Sequence, residues 1–244
     1  MLIYGKNAVS EALQQGQAQR VMIALGVRES TISEIEKLAR GARVPVERVP
    51  RIELDQALRT TAHQGVVAEL PELNFSGEEE PFELARQRGQ RLLLVLLDHV
   101  QDPRNYGAII RSAEVLGAHG VITEERRSAP LSAVVAKTAA GATAHIPLVQ
   151  VKNLARYLDG LKSRNVWIYG ADLDATTTPE RVDWDRDAAL VIGSEGSGLR
   201  RLIRQKCDET VRIGTVGKLS SLNASVAAGI LLYAVQRARS EAGV

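Results

Sequence analysis

The stretch "RLLLVLLD", residues 91–98, is a continuous apolar run that ends in an aspartate. Unbroken hydrophobic runs of this length are typical of strands that are buried on both faces of a parallel sheet. Similar segments follow along the chain: "GVITEE", "VWIYGADL", "AALVIGSE" and "TVRIGT". Helical patterns separate most of them, and one such helical face is formed by Val151, Leu154, Leu158 and Leu161. This alternation predicts an α/β fold with a parallel sheet covered on both sides.

A smaller α/β pattern precedes this sheet. "RVMIAL" and "VVAEL" have the composition of strands, whereas "NAVSEALQQG" and "ISEIEKLARGA" have apolar residues at helical spacing. The acidic stretch "PELNFSGEEEPF", residues 71–82, combines prolines, a glycine and glutamates, as linkers do. We therefore predict a small domain over residues 1–72, a linker over 73–90 and a larger domain over 91–244.

Composition limits the class of protein. The hydrophobic fraction of 45% and the charged fraction of 25% are ordinary for a globular chain, and the net charge of +2 supports a nucleic-acid partner only weakly. The single cysteine, Cys207, excludes an internal disulfide and fits a reducing compartment. The start "MLIYGKNAVSEAL" lacks the pattern of a signal peptide, and no stretch is long and apolar enough to span a membrane. These features predict a cytoplasmic protein without membrane contact.

Polar segments follow three of the predicted strands, at the edge where parallel sheets bind ligands. They are "DHVQDPRNYGAIIRSAE", "GSEGSGLRR" and "GTVGKLSSLN". The second runs G-x-x-G-x-G from Gly193 to Gly198, the reverse of the dinucleotide fingerprint, and the chain has no G-x-x-x-x-G-K-[ST] motif. Glu195 places a carboxylate in the same loop, which disfavours phosphate and suits a neutral or cationic ligand. Phosphate-bearing cofactors are therefore disfavoured.

The third polar segment leads into an apolar helix, "GKLSSLNASVAAGILLYAV", residues 217–235. Ser220, Ser221, Asn223 and Ser225 crowd the start of this helix. Such residues cap helices, because their side-chain oxygens accept backbone N–H bonds. A helix start also presents backbone N–H groups to ligands, so capping and ligand binding both remain open at this point.

The final helix is predicted to run from Ala224 to about Arg239. Near its start it is apolar on more than one side, as Val226, Ile230 and Leu231 indicate. Such a helix is covered on more than one side, by its own sheet or by a second copy of the chain.

"NYGAIIRSA", "IGSEGSGL" and "SSLNASVAAGILLY" together closely resemble the three motifs of the SpoU (TrmH) branch of the SPOUT RNA methyltransferases. The resemblance spans about residues 91–244, with the motifs in order and at matching spacing. "YGKNAV" and "HQGVVA" resemble the small, ribosomal-protein-like RNA-binding domain that precedes the catalytic domain in this family. The similarity is greatest to the RlmB-type ribosomal RNA guanosine 2′-O-methyltransferases.

The resemblance implies a fold and an activity. It implies S-adenosylmethionine as methyl donor, a ribose 2′-hydroxyl of ribosomal RNA as acceptor, and RNA rather than DNA as partner. It also implies a homodimer and a deep trefoil knot in the C-terminal domain, around residues 193–225, where the donor sits. Such knots are rare exceptions among protein folds.

The resemblance also implies site residues. The catalytic candidates are Asn105, Arg111, Glu195, Ser221 and Asn223. The candidates for donor contact, mostly through backbone, are Gly193, Ile213 and Leu222. Because a guanidinium is effectively always protonated, we expect Arg111 to bind the substrate phosphate and stabilise the developing alkoxide, with Asn105 holding Arg111 in place.

One departure from the family pattern concerns the donor loop. Ile213 is followed by Gly214 and Thr215, where the family usually has proline and methionine, so the loop lacks the rigidity of proline. The chain's four histidines show no metal-ligand spacing, and no metal site is predicted. The segment "RRLIRQK", residues 200–206, is either an RNA-facing basic patch or a solvated helix face.

Two other functions remain open from the sequence. A transfer-RNA ribose methyltransferase of the same branch would share every catalytic residue, although the "YGKNAV" start favours ribosomal RNA. A non-catalytic RNA-binding protein of ribosome assembly would not need the catalytic candidates, and their presence counts against it.

Overall fold

The chain divides into two compact units, Met1–Leu73 and Asn74–Val244. A computed structural model describes residues 1–217 and 221–241, without the side chain of Thr31. Within the described ranges, no helix is both long enough and apolar enough to cross a lipid bilayer.

The smaller unit is a four-stranded sheet with helices. Its strands are β1 (Leu2–Tyr4), β2 (Arg20–Ala24), β3 (Val46–Val49) and β4 (Val66–Glu69), and its helices are α1 (Lys6–Gln14), α2 (Glu29–Ala42) and α3 (Arg51–Leu58). The strand order is β1-β4-β2-β3. β2 and β3 are parallel, and β4 runs antiparallel to both of its neighbours. The predicted strands and helices are present, and Ile32, Ile35 and Ala39 of α2 are buried as their spacing predicts.

A buried histidine fixes the turn that leads into β4. His63 Nε2 lies 2.7 Å from Asp55 Oδ1, and His63 Nδ1 accepts a hydrogen bond from the Gly65 amide at 3.0 Å. Gly65 has a φ of +76°, and a Cβ there would lie 2.3 Å from Val27 Cγ2. The "HQG" segment is therefore a tight turn that only glycine completes.

The larger unit is built on a six-stranded sheet in which every pairing is parallel. Its strands are β5 (Leu93–Asp98), β6 (Gly120–Glu124), β7 (Leu148–Val151), β8 (Trp167–Ala171), β9 (Ala188–Gly193) and β10 (Glu209–Val211). The strand order is β10-β8-β9-β5-β6-β7. The helices are α4 (Glu80–Arg88), α5 (Pro103–Val115), α6 (Ala133–Ala139), α7 (Leu154–Ser163), α8 (Arg201–Lys206) and α9 (Ala224–Glu241).

Both faces of this sheet are covered, which confirms the predicted parallel α/β fold. Side chains of β5 alternate between the two layers. Leu93, Val95 and Leu97 pack with apolar residues of α5, α6 and α9, whereas Leu94 and Leu96 pack with those of α4, α7 and α8. All six residues of β5 are buried, so its continuous apolar composition follows from burial on two sides.

The structure differs from the sequence-based expectation around β7 and after β5. Val151, expected on a helix face, ends β7, and α7 begins at Leu154. Most of the segment expected to be a polar loop after β5 is helix α5, which begins at Pro103. Asp102 caps α5 by accepting a hydrogen bond from the Arg104 amide at 2.8 Å. A proline at the first helical position suits a helix start, because no N–H partner is needed there.

The segment 73–90, predicted from composition to be a linker, contains α4. Pro81 and Ala85 of this helix are buried, and Ser76 forms a parallel bridge with Val149 of β7. The acidic composition comes from exposed positions, while the buried positions pack α4 within the larger unit.

Candidate functional site

A cavity lies at the carboxyl ends of β8, β9 and β10, next to the start of α9. Gly193, Glu195, Ile213, Ser221 and Leu222, all members of the set implied by the resemblance, line it. The cavity is where open parallel sheets bind their ligands, beyond the carboxyl ends of the strands. Ser220 lies outside the described residues.

The glycine-rich loop after β9 is a tight turn. Ser194 and Gly198 exchange two backbone hydrogen bonds, of 3.2 and 3.0 Å, and Gly196 and Gly198 have positive φ angles. A Cβ at Gly193 would lie 2.3 Å from the carbonyl carbon of Gly198. The glycines therefore allow the chain to fold back on itself, and the turn presents Glu195 towards α9.

Two side chains from distant parts of the chain, those of Asn105 and Asn223, contact Glu195. Its Oε1 accepts a hydrogen bond from Asn105 Nδ2 at 2.7 Å and a very short one from Asn223 Nδ2. Asn223 Nδ2 also lies 3.0 Å from Asn105 Oδ1. We call Asn105, Glu195 and Asn223 the amide–carboxylate cluster. It joins the start of α5, the turn after β9 and the start of α9.

Asn223 also caps α9. Its Oδ1 accepts hydrogen bonds from the Ser225 amide at 2.9 Å and from Ser225 Oγ at 2.6 Å. Glu195 Oε1 lies 3.4 Å from the Ala224 amide, so a carboxylate faces the positive end of the helix dipole. Asn223 therefore caps the helix, and Ser221, two residues before it, lines the cavity.

The structure does not support the expected contact between Asn105 and Arg111. Both Asn105 side-chain atoms are engaged by Glu195 and Asn223. Six residues of α-helix correspond to about 240° of rotation, so the two side chains leave α5 in different directions. Arg111 is exposed, and its guanidinium has no hydrogen-bond or ion-pair partner in residues 1–217 and 221–241. It is free to bind a ligand.

An ion network that the sequence did not reveal lies beside the cavity. Asp98, fully buried at the end of β5, accepts hydrogen bonds from the Arg200 amide at 2.7 Å and from Arg200 Nε at 2.5 Å. Arg200 Nη2 lies 2.9 Å from Glu124 Oε2, and Glu124 Oε1 accepts from the Leu154 amide at 3.1 Å. The pKa of the neighbouring His99 is lowered, first by burial and then by Arg200. The network ties the ends of β5 and β6 to the start of α8.

The basic segment 200–206 is largely neutralised by carboxylates. Arg204 Nε lies 2.5 Å from Asp172 Oδ2, and Lys206 Nζ lies 2.5 Å from Asp159 Oδ1. Arg200 is paired as well. These ion pairs indicate a structural role for the segment rather than an RNA-facing basic patch.

The described residues offer neither a reactive cysteine nor a cluster of metal ligands. Burial raises the pKa of the Cys207 thiol to about 12, so the thiolate is disfavoured. No group of three or more His, Cys, Asp or Glu side chains in these ranges is arranged to hold a metal ion.

Family models match most of the chain. The model of the SpoU rRNA methylase family matches residues 92–233, and a model described as RNA 2′-O ribose methyltransferase substrate binding matches residues 2–76. The chain is 39% identical to YacO of Bacillus subtilis (strain 168), which is assigned to the TrmH family of tRNA/rRNA methyltransferases. That match covers 99% of this chain and 97% of YacO.

Solved structures show the same fold. The SpoU methyltransferase AviRb from Streptomyces viridochromogenes, in complex with the cofactor AdoMet, is 27% identical with a TM-score of 0.69. The match covers 99% of this chain and 91% of that one. The TrmH/SpoU tRNA modifying enzyme of A. aeolicus is 29% identical with a TM-score of 0.58, covering 66% of this chain and 85% of that one.

Proposed function

The chain belongs to the SpoU rRNA methylase family and is an RNA methyltransferase, and from this premise we propose its donor and acceptor. The donor is S-adenosylmethionine, and the acceptor is the ribose 2′-hydroxyl of a guanosine in large-subunit ribosomal RNA. The observation that carries this proposal is the cavity at the carboxyl ends of β8, β9 and β10, which adjoins the amide–carboxylate cluster.

The described residues that line the cavity fit such a donor. They include the carboxylate of Glu195 and no lysine or arginine, and Asp172, which also lines the cavity, is paired with Arg204. This lining suits a cationic ligand and disfavours phosphate. The bound AdoMet of AviRb supports the same assignment.

Gly193, Ile213 and Leu222 would hold the donor. Ile213 packs against the core and Leu222 is 39% exposed, so the pair offers an apolar surface on a fixed backbone. When bound, the donor would supply a methyl group on a positively charged sulfur for transfer to the ribose 2′-oxygen, with S-adenosylhomocysteine as the leaving group and the hydroxyl proton released to solvent. The exposed Gly214 and Thr215 replace the proline and methionine usual in the family, so this loop depends on neighbouring contacts for its rigidity.

The chain's own residues then have separate tasks. Arg111, which has no partner in the part of the chain that the structure describes, binds a phosphate of the RNA through its two-pronged guanidinium and stabilises charge on the ribose oxygen. Ser221 faces the cavity and lies within reach of its contents. Asn105, Glu195 and Asn223 act as positioning residues, because their hydrogen bonds hold the cavity wall and the start of α9 together.

We propose a homodimer that forms through α9. Val226, Ile230 and Tyr233 follow each other at spacings of four and three, and their side chains are 49%, 39% and 57% exposed. The opposite face of α9 is buried in its own unit, as Leu231, Leu232 and Val235 show. A second copy related by a two-fold axis would cover the exposed stripe. A monomer in sedimentation at micromolar concentration would contradict this arrangement.

The trefoil knot and the cytoplasmic location implied above stay predictions. The segment 193–225, where the knot is expected, includes residues outside the described ranges.

A transfer-RNA substrate is the second candidate, because the tRNA modifying enzyme of A. aeolicus shares the fold over 66% of this chain. The "YGKNAV" start and the match of residues 92–233 to the SpoU rRNA methylase family model support ribosomal RNA, whereas the substrate-binding model that matches residues 2–76 is described for RNA in general. A non-catalytic role in ribosome assembly would leave the cavity and its neighbouring cluster without a purpose.

One experiment separates these possibilities. The purified protein is incubated with methyl-labelled S-adenosylmethionine and, in parallel, with ribosomal RNA or transfer RNA from a strain that lacks the gene. The RNA is then digested to nucleosides. We expect label in 2′-O-methylguanosine from large-subunit RNA, with or without a chelator. Label in tRNA alone would favour the second candidate, label on a base would overturn the reaction, and no transfer to any RNA would favour the non-catalytic function.

A further inference from the structure

Exposed cations follow three neighbouring strands of the larger sheet. Arg104 lies in the first turn of α5 after β5, Arg126 and Arg127 follow β6, and Lys152 and Arg156 lie after β7. None of these side chains has a carboxylate partner in residues 1–217 and 221–241. All of them belong to loops or helix starts at the carboxyl edge of the sheet.

Many other cations of this unit are neutralised by nearby acids. Lys162 Nζ lies 2.7 Å from Asp208 Oδ1, and Arg164 forms a two-pronged pair with Glu79 at 2.7 and 3.0 Å. The cations that follow β5, β6 and β7 differ from these pairs, because they have no carboxylate partner in the described residues and lie together along one edge of the sheet.

The acids near these cations leave a positive surface. Asp98 and Glu124, which end β5 and β6, are buried and paired with Arg200. Asp102 and Glu125 are the exposed acids in the same loops, and Asp102 is engaged as the cap of α5. The exposed side chains at this edge thus carry an excess of positive charge.

The row of cations ends in a groove beside β7. Gln150, Lys152, Asn153, Arg156 and Tyr157 line one side of it, and Phe82 and Glu78 lie on the other. The hydroxyl of Tyr157 is buried and makes no hydrogen bond within the described residues. Gln150 and Asn153 contribute side-chain amides to the lining of the same groove.

The order of the strands relates this surface to the cavity. The cavity lies on β10, β8 and β9, and the cations follow β5, β6 and β7, which continue the same sheet edge. Neighbouring strands are about 4.8 Å apart, so the edge from β9 to β7 is roughly 14 Å long. That length accommodates several nucleotides of a nucleic-acid strand, whose phosphates rise by roughly 3.4 Å each along the axis of a helix.

We propose that the carboxyl edge over β5, β6 and β7, ending in the groove beside β7, binds the RNA strand that flanks the modified nucleotide. We call this surface the flanking-strand track. Its cations contact phosphates, and the side-chain amides of the groove contact ribose and phosphate oxygens. The proposal rests on the proposed function for the direction of the strand, which runs from the cavity towards β7.

Salt-dependent RNA binding tests the track. The probe is a fluorescein-labelled, unstructured single-stranded RNA of twenty nucleotides, and the test protein is the full chain with Arg126, Arg127, Lys152 and Arg156 all changed to Ala. The slope of log K against log salt concentration is negative, and each lost phosphate contact reduces its magnitude by about 0.7 for a single strand. Four lost contacts therefore reduce the magnitude by about 3. We expect this flatter slope together with weaker binding at low salt.

The matched control is the variant Arg88→Ala/Arg181→Ala. Both residues are exposed cations without a carboxylate partner in the described ranges, and neither follows β5, β6 or β7. Two double variants, Arg126→Ala/Arg127→Ala and Lys152→Ala/Arg156→Ala, are compared with this control at equal charge. We expect each double variant to reduce the magnitude of the slope by about 1.4, and the control to leave the slope unchanged. These doubles also carry the test if the fourfold variant does not fold.

Donor binding distinguishes failure of the track from failure of the proposed function. The track variants should bind S-adenosylmethionine with wild-type affinity in calorimetry and show a raised KM for RNA with an unchanged kcat. Slopes equal to that of the control would overturn the track, whatever the activity. Absence of donor binding in the wild type would instead overturn the proposed function, and the salt slopes would still decide whether this edge binds RNA.

Discussion

Glu195 Oε1 accepts a hydrogen bond from Asn105 Nδ2 at 2.7 Å, although the two residues are 90 positions apart in the chain. This bond joins the helix after the first strand of the larger sheet to the turn after β9. Asn223 closes the cluster from the start of α9. The three motifs that define the family resemblance therefore meet at one carboxylate. Loss of this carboxylate should change the packing of all three motifs.

Replacing Glu195 with glutamine tests this role. The neutral amide is a weaker acceptor for the two asparagine donors and no longer faces the helix dipole with a charge. Loss of a hydrogen bond to a charged group costs roughly 1.5–3 kcal/mol, so we expect donor affinity to fall by about ten- to a hundredfold. Calorimetry with S-adenosylmethionine measures the effect.

The control for Glu195→Gln is Glu125→Gln, which removes an exposed carboxylate outside the cavity and the cluster. It should bind the donor as the wild type does. Equal affinities in the two variants would show that the amide–carboxylate cluster does not shape the cavity.

Gly193→Ala tests the close approach of the chain after β9. The new Cβ would lie 2.3 Å from the Gly198 carbonyl carbon, and backbone atoms cannot yield as a flexible side chain does. We expect lower thermal stability and weak donor binding, because the turn that carries Glu195 must shift. Overpacking of this kind typically costs about 1–3 kcal/mol in the free energy of unfolding.

Gly214→Ala is the matched control, since a Cβ at that glycine meets no atom within 4 Å. It also tests the departure from the family pattern at this position. A melting temperature of Gly193→Ala equal to that of Gly214→Ala would contradict the close packing of the turn.

The parallel sheet could be predicted from the sequence because its strands are apolar on both faces, as the five buried apolar residues of β5 before Asp98 show. The sequence pattern does not predict β7, because this strand has only four residues and Gln150 interrupts its apolar run. The contacts that build the site could not be derived from spacing. Asp98 and Arg200, which pair at 2.5 Å, are 102 positions apart, and only the fold brings them together.

The buried His119 predicts a pH dependence of stability. Burial, with Arg88 and Arg239 nearby, lowers the pKa of His119 to about 4 from the ordinary histidine value of 6.5. The unfolded chain therefore binds more protons between these values, and stability should fall as the pH drops from about 6.5 to about 4. The shift corresponds to a loss of about 3 kcal/mol at the acid end.

Denaturant unfolding at pH 7 and at pH 4.5 measures this loss, and His119→Gln should lack the part that His119 contributes. Glutamine retains an oxygen that can accept the hydrogen bond from the Leu93 amide. His145→Gln, at an exposed position, is the control and should keep the wild-type pH dependence. An identical loss in His119→Gln and the wild type would exclude His119 as the cause.

Replacement of Arg111 should slow methyl transfer without changing donor affinity or the free energy of unfolding. Its guanidinium has no partner in the described part of the chain, so Arg111→Ala should change the free energy of unfolding by no more than about 0.5 kcal/mol. Donor binding should also stay near the wild-type value, because Arg111 does not line the cavity. Loss of one group that stabilises a developing oxyanion costs roughly 2.7–4 kcal/mol, so single-turnover methyl transfer to RNA should slow by about a hundred- to a thousandfold.

The conservative variant and the control sharpen this test. Arg111→Lys should restore little of the rate, because a point charge does not reproduce the planar two-pronged contact with a phosphate. Arg181→Ala removes an exposed arginine elsewhere in the same unit and should keep the wild-type rate. If Arg111→Ala methylates RNA as fast as Arg181→Ala does, Arg111 is an ordinary exposed residue of α5, and the group that stabilises the ribose oxygen has to be sought among the other side chains at the cavity, beginning with Ser221.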